Sequence, residues 1–260
     1  MQPDGFVTKV MRALSFLSRI PVHDIFFENQ HGDMVKTVRV FPLAGLIIAL
    51  APACLAAILT HFHADALLSA AIILALATAI TGALHEDGLA DTADGFGGGA
   101  TRERALEIMK DSRIGSYGVI ALILSFLIRA AAIAALIHAL PPLGVAASLL
   151  GTACISRGLM VWHWSALPAA REGGVAASIG QPGTYERNGA LCYGGGIAIL
   201  IALPFYWPSL LVLAAGAAFA ATYLFNRKCE RKIQGHTGDT IGATQQITEI
   251  VMLAALALVA

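Results

Sequence analysis

Long apolar stretches alternate with short polar ones along this chain. Residues 41–60, 66–84, 117–138, 143–166, 190–206, 208–225 and 245–260 each match or approach the ~20 largely apolar residues a spanning helix needs. The 66–84 stretch carries no charge at all. Pro42, Pro52 and Pro204 are tolerable in such helices, because neighbours re-satisfy the freed backbone groups. The segment 190–206 contains Gly194-Gly195-Gly196 and 245–260 is short, so six spans is the alternative if one late segment is re-entrant. Ahead of the first span, Phe6, Val7, Val10, Leu14 and Leu17 form one helical stripe, with Lys9, Arg12 and Arg19 elsewhere. The pattern predicts an all-α, polytopic membrane helix bundle. It has about seven transmembrane helices and an N-terminal helix resting on the membrane interface. One integral membrane domain covers residues 1–260.

Charge placement orients the bundle. The connections 61–65, 139–142 and 206–208 hold no Lys or Arg. Lys9, Arg12, Arg19, Lys36 and Arg39 precede the first span, and Arg102, Arg104, Lys110 and Arg113 fill the 85–116 loop. Arg171 and Arg187 mark the third long loop, and Arg227, Lys228, Arg231 and Lys232 the fourth. The positive-inside rule then places the N-terminus and every long loop in the cytoplasm and the C-terminus outside, in a cytoplasmic (inner) membrane. Trp162, His163 and Trp164, read as lying near the outer end of their span, look like an interfacial aromatic belt.

Composition agrees. The chain is 57% hydrophobic and 13% charged, against about 25% charged for ordinary soluble domains, with a mean hydropathy of +0.72. A net charge of +0 gives no support to a nucleic-acid partner. The four cysteines are scattered without a C-x-x-C pair, so neither a disulfide framework nor a zinc site is indicated. Residues 1–20 lack the continuous hydrophobic core of a cleavable signal peptide.

The chemistry concentrates where the 66–84 stretch ends, in His85-Glu86-Asp87-Gly88-Leu89-Ala90-Asp91-Thr92-Ala93-Asp94-Gly95. Carboxylates at the mouth of a membrane helix are costly without a cation among them. If the helix continues, Asp87, Asp91 and Asp94 share a face at i, i+4 and i+7. Oxygen-only ligands so arranged suit Mg²⁺ or Mn²⁺ better than zinc. The bland alternative is a solvated helix end. Gly95-Phe96-Gly97-Gly98-Gly99 then reads as a flexible turn that can approach phosphate. Thr101 is an expected N-cap, and Glu107 is expected to pair with Lys110. Lys110, Asp111 and Arg113 set cations beside a further carboxylate, as phosphoryl chemistry requires. Arg129 and Arg157 lie inside spans; each is either a functional cation or a helix–helix contact. In the last long loop, His236, Thr237 and Asp239 offer hydrogen-bonding groups to a nucleotide or phosphate.

Several of these motifs together resemble the cobalamin synthase (adenosylcobinamide-GDP ribazoletransferase) family over nearly the whole chain. The resemblance rests on Phe16-Leu17-Ser18-Arg19-Ile20-Pro21-Val22, Phe41-Pro42-Leu43 and His85-x-Asp87-Gly88-Leu89-Ala90-Asp91-x-x-Asp94-Gly95, with Asp111-Ser112-Arg113-x-Gly115 and Gly235-x-Thr237-Gly238-Asp239 after them. It implies an Mg²⁺-dependent last step of adenosylcobalamin assembly. A ribose hydroxyl of α-ribazole, or its 5′-phosphate, would attack the cobinamide-linked phosphorus of adenosylcobinamide-GDP and release GMP. On that reading Asp87, Asp91, Asp94 and Asp111 are the metal candidates, with Glu86 left out. Lys110 and Arg113 act on phosphate, and Arg157, Thr237 and Asp239 bind substrate. His85 or one of the aspartates takes the hydroxyl proton, a choice the sequence leaves open. Oligomeric state, a homo-oligomer included, is open too.

Two rival classes stand beside it. Asp91-x-x-Asp94-Gly95 is similar to part of the motif of CDP-alcohol phosphotransferases, although the basic and later acidic positions fall elsewhere. A secondary transporter would place its ionisable residues near mid-bilayer, whereas the acidic run is expected at the membrane edge.

Overall fold

The structure is a computed structural model that describes residues 5–27 and 34–259. Among these residues the regular elements are helices, in the order α1 (Phe6–Leu17), α2 (Phe41–His61), α3 (Ala66–Thr81), α4 (Leu84–Gly98), α5 (Arg102–Ile108), α6 (Ser116–Ala139), α7 (Pro142–Ala166), α8 (Val175–Ile179), α9 (Thr184–Ala202), α10 (Pro208–Ile233) and α11 (Gly238–Val259). Local chemistry fixes several ends. Pro42, Pro142 and Pro208 sit in first turns, where a missing N–H costs nothing. Asp65 and Thr101 cap α3 and α5 by accepting from Leu68 N and Arg104 N.

Five helices are long and apolar enough to cross a membrane by themselves: α2 with the 3₁₀ run before it, α6, α7, α10 and α11. A sixth span arises if α3 and α4 count as one helix bent by 91°. The all-α membrane bundle stands, with five to six such spans against the about seven expected. Of the expected 190–206 segment, residues 190–202 are helical within α9, but that helix opens on Tyr185, Glu186, Arg187 and Asn188, and polar turns dilute its apolar half. Ala260, the last residue of the expected seventh span, lies outside the described residues.

Long and short connections segregate to opposite ends of the bundle. The loop-rich end gathers α1, α5, the 167–183 segment and the turn between α10 and α11; the last two are tied by Ala170 N donating to His236 O and His236 N to Pro168 O, both at 2.8 Å. One apolar cluster fills the bundle toward the other end, around Ile133, Leu136, Leu211 and Leu256. Another lies under the loop-rich end, around Phe41, Met160 and Trp164. The stripe on α1 joins the latter: Ala13, Leu14 and Leu17 are buried in protein, while Phe6 and Val7 stay exposed. The expected interfacial helix is therefore docked along its second half. Trp162, His163 and Trp164 also need correcting. The 139–142 connection lies at the opposite end, so α7 runs toward the loops and carries these residues there. His163 is hydrogen-bonded to Thr240, and the Trp164 ring lies against His236.

Candidate functional site

Gly82 and Ala83, both left-handed at φ +64° and +60°, end α3 and start α4 in a new direction. The acidic run is helical throughout, as the i, i+4, i+7 spacing requires, and the helix continues through Gly98. The expected glycine-rich turn is thus a helix surface. A Cβ at Gly95 would lie 2.4 Å from Met109 Cγ, and one at Gly97 2.5 Å from Tyr117. These glycines let α5 and α6 pack directly on α4. Gly88 does the same toward α11, where a Cβ would come 2.7 Å from the Asp239 carbonyl oxygen.

That close approach builds the acidic centre. Asp91 lies in the electrostatic field of Asp87, Asp239 and Asp94, with Arg171 as the opposing cation. Arg171 Nη2 reaches Asp239 Oδ2 at 3.3 Å, and Thr237 Oγ1 donates to the same oxygen at 3.1 Å. Asp87 and Asp239 line a cavity of about 560 Å³ at the loop-rich end, together with His85, Arg171, Phe16, Met160 and Trp164. His85 is buried and its Nε2 has no hydrogen-bond partner.

The four expected metal carboxylates part company here. Asp87 lines the cavity with Asp239, which the sequence reading had assigned to substrate, and Asp91 lies in the field of both. Asp94 is turned to α6, accepting from Gly115 N at 2.7 Å and Gly118 N at 2.8 Å. Asp111 stands apart at the end of α5, where Arg113 Nη2 donates to it at 2.6 Å and Arg113 Nε at 3.0 Å. Those bonds hold the Asp111 carboxyl down at about 2. Lys110 and Arg113 are exposed. Glu107 pairs with Arg104 at 2.7 Å rather than with Lys110.

Hard oxygen donors around Asp91, with Arg171 opposing them, fit a divalent ion of the Mg²⁺ class. Among the described residues no three acidic, imidazole or thiol side chains already converge on one point. An Mg²⁺ ion needs only one or two carboxylates, its other positions going to water and substrate phosphate. Asp87 and Asp91 supply that minimum.

Deeper in the bundle lies a second charged group. Arg129 donates to Glu86 at 3.3 Å and to Glu249 at 3.1 Å, and Arg157 reaches Glu249 at 3.5 Å. Gln246 donates to Glu86 at 3.1 Å and accepts from Ser125 at 3.1 Å. Both arginines are buried and line a cavity of about 60 Å³ that His85 also borders. Arg157 is thereby compensated, and it is absent from the wall of the large cavity. The sequence reading missed Glu249, although a lone acid inside the last apolar stretch was a signal of the same kind as Arg129 and Arg157. It also missed Arg171, seen there as a topological charge.

The comparisons with known proteins agree on one family. The sequence model described as Cobalamin-5-phosphate synthase matches residues 9–257. A protein of Sinorhizobium medicae named adenosylcobinamide-GDP ribazoletransferase is 54% identical over 256 residues, covering 97% of each chain. One of the same name from Rhizobium meliloti is 53% identical over 253 residues, 96% of this chain and 95% of its own. Another from Brucella ovis is 39% identical over 259 residues, 98% of each. No solved structure matches.

Proposed function

The chain belongs to the Cobalamin-5-phosphate synthase family, and from that premise we propose that it joins adenosylcobinamide-GDP to α-ribazole or α-ribazole 5′-phosphate, releasing GMP. The observation that carries this reading is identity above one half across 97% of both chains. Membership in that family sets the CDP-alcohol phosphotransferase and transporter readings aside. The loop-rich end, with its cations and acidic centre, is the cytoplasmic side of an inner membrane by the positive-inside rule.

The acidic centre suits the reaction. Asp87 and Asp91 would hold Mg²⁺, which would supply charge neutralisation for a diphosphate substrate and its leaving group. The protein does the rest by placement. Asp239, held by Arg171 and Thr237, completes the acidic wall opposite Asp87. Asp94 fixes the start of α6 against α4, and so fixes the 109–115 segment that carries Lys110 and Arg113. Arg113 exchanges Asp111 for phosphate, an isosteric trade for a planar guanidinium. His85, buried on the cavity wall with Nε2 free, accepts the proton of the attacking ribose hydroxyl.

Purified full-length protein in detergent, given adenosylcobinamide-GDP and α-ribazole, should release GMP and form the joined corrinoid. EDTA should stop the release and Mg²⁺ restore it. Product from a CDP-lipid donor with none from adenosylcobinamide-GDP would reject the reaction, and turnover indifferent to EDTA would reject the metal.

A further inference from the structure

Several hollows border the helices, and their walls differ in kind. The charged cavity of about 60 Å³ is too small for an organic substrate. A slot of about 180 Å³ between α7, α9, α10 and α11 has no charged side chain on its wall. A groove of about 580 Å³ at the end of α10 is lined by Arg227, Lys228, Arg231 and Lys232 beside two apolar residues. The cavity of about 560 Å³ at the loop-rich end combines both characters. Its wall includes Phe16, Met160, Trp164 and Val175, together with His85, Asp87, Arg171 and Asp239 of the acidic centre.

We propose that this cavity seats the smaller substrate, ribazole: its flat aromatic base lies against Phe16, Met160 and Trp164, and its ribose points to Asp87 and His85. The assignment rests on the reaction proposed above and adds which substrate goes where. Three observations carry it. The volume falls within the roughly 300–1,000 Å³ of small-molecule sites and cannot take a corrinoid joined to GDP, which is several times the bulk of a nucleoside. The wall offers a nucleoside both kinds of group it needs, aromatic and thioether side chains for a flat ring and carboxylate and imidazole for hydroxyls. Three buried polar atoms of its wall residues, Trp164 Nε1, His85 Nε2 and Arg171 Nη1, have no partner, a cost that an occupant's hydroxyl or ring nitrogen offsets. Seated so, the ribose hydroxyl meets the donor's phosphorus at the acidic centre, while the corrinoid stays outside the cavity.

Fluorescence and kinetics test this together. The chain has three tryptophans; in a Trp162→Phe, Trp207→Phe background the remaining emission comes from Trp164. Titrating α-ribazole alone should change that emission saturably. Val175 is exposed at the cavity rim, so Val175→Trp should fold and crowd the base. It should raise the KM for α-ribazole at least roughly tenfold and leave the KM for adenosylcobinamide-GDP within about twofold. Emission unchanged at ribazole concentrations that saturate turnover would overturn the proposal. A KM rise confined to the donor, or equal for both substrates, would overturn it as well. Ribazole-dependent emission without GMP release would defeat the proposed reaction and leave the site standing; GMP release with silent Trp164 would do the reverse.

Discussion

Glu86 and Asp87 are neighbours on α4 and leave it toward opposite settings. Glu86 turns into the bundle, where Arg129 and Gln246 bind it and Glu249 shares the same arginine. Two guanidinium groups there face two carboxylates, and the charges cancel. Asp87 turns out to the cavity, where its neighbours are Asp91 and Asp239 and the opposing Arg171 is tied to Asp239. Buried charge survives inside only because each ion has a partner. Charge is left in excess at the mouth, which is a cost to the fold and a readiness for a cation. The deep group is therefore compensated within the fold, and under the proposed function the chemistry belongs to the mouth.

The sharpest way to break that division is at the mouth. Asp87→Asn and Asp91→Asn remove charge without changing shape. Each should lower kcat at least roughly a thousandfold, in line with the several kcal/mol a metal clamp supplies. The variants should melt no earlier than wild type, since a repulsion has been relieved. Near-normal kcat in either, or a clear loss of thermal stability in both, would place the chemistry elsewhere.

Inside, the expected damage is to folding. Glu249→Ala leaves Arg129 with one partner and strips Arg157 of its carboxylate, an error worth about 3–5 kcal/mol for a buried pair. Folded yield from detergent extraction and the melting temperature should both fall, with Glu249→Gln intermediate because it keeps an acceptor. Arg157→Ala should resemble Glu249→Ala. A stable Glu249→Ala protein that had merely lost turnover would move the deep group into the reaction.

How much of this the sequence showed depends on range. The carboxylate spacing, the N-cap at Thr101 and the spans 41–60, 117–138 and 143–166 are local patterns, and each reappears in a helix with nearly the same ends. The bend at Gly82 and Ala83 was invisible, because Ala at φ +60° is held by tertiary context and not by propensity. Gly95, Gly97 and Gly98 misled for a related reason. Glycine lowers helix propensity, yet here it is spent on letting α5 and α6 touch α4. The partition of the aspartates was equally hidden, since Asp94 differs from Asp91 only in what α6 presents to it.

Arg113 tests the boundary between the two regions at moderate cost. It is exposed, and its pair with Asp111 is of the kind that adds little stability. Arg113→Lys keeps the charge and loses the planar fork, so kcat/KM should drop roughly tenfold while the melting curve is unchanged. Wild-type kinetics would remove Arg113 from phosphate binding.

Asp94 is the residue in which the two roles meet, and the smallest expected effect belongs to it. Its two oxygens receive the N–H groups of Gly115 and Gly118, which serve as N-cap and third residue of α6. A negative side chain there satisfies orphan donors and favours the helix dipole. A Cβ at Gly118 would stand 2.4 Å from Asp94 Oδ2, so glycine is required for the carboxylate to enter. Asp94→Asn keeps one acceptor and should cost about 1 kcal/mol, as other capping changes do. Its kcat should fall less than in Asp87→Asn or Asp91→Asn. Gly118→Ala expels the carboxylate without altering its charge, and it should match or exceed that loss of stability. If Asp94→Asn melts like wild type but is as inactive as Asp91→Asn, Asp94 belongs to the metal set and the brace to α6 is incidental. If Gly118→Ala and Asp94→Asn lose stability together while both keep turning over, the helix-bracing role is the one this carboxylate performs.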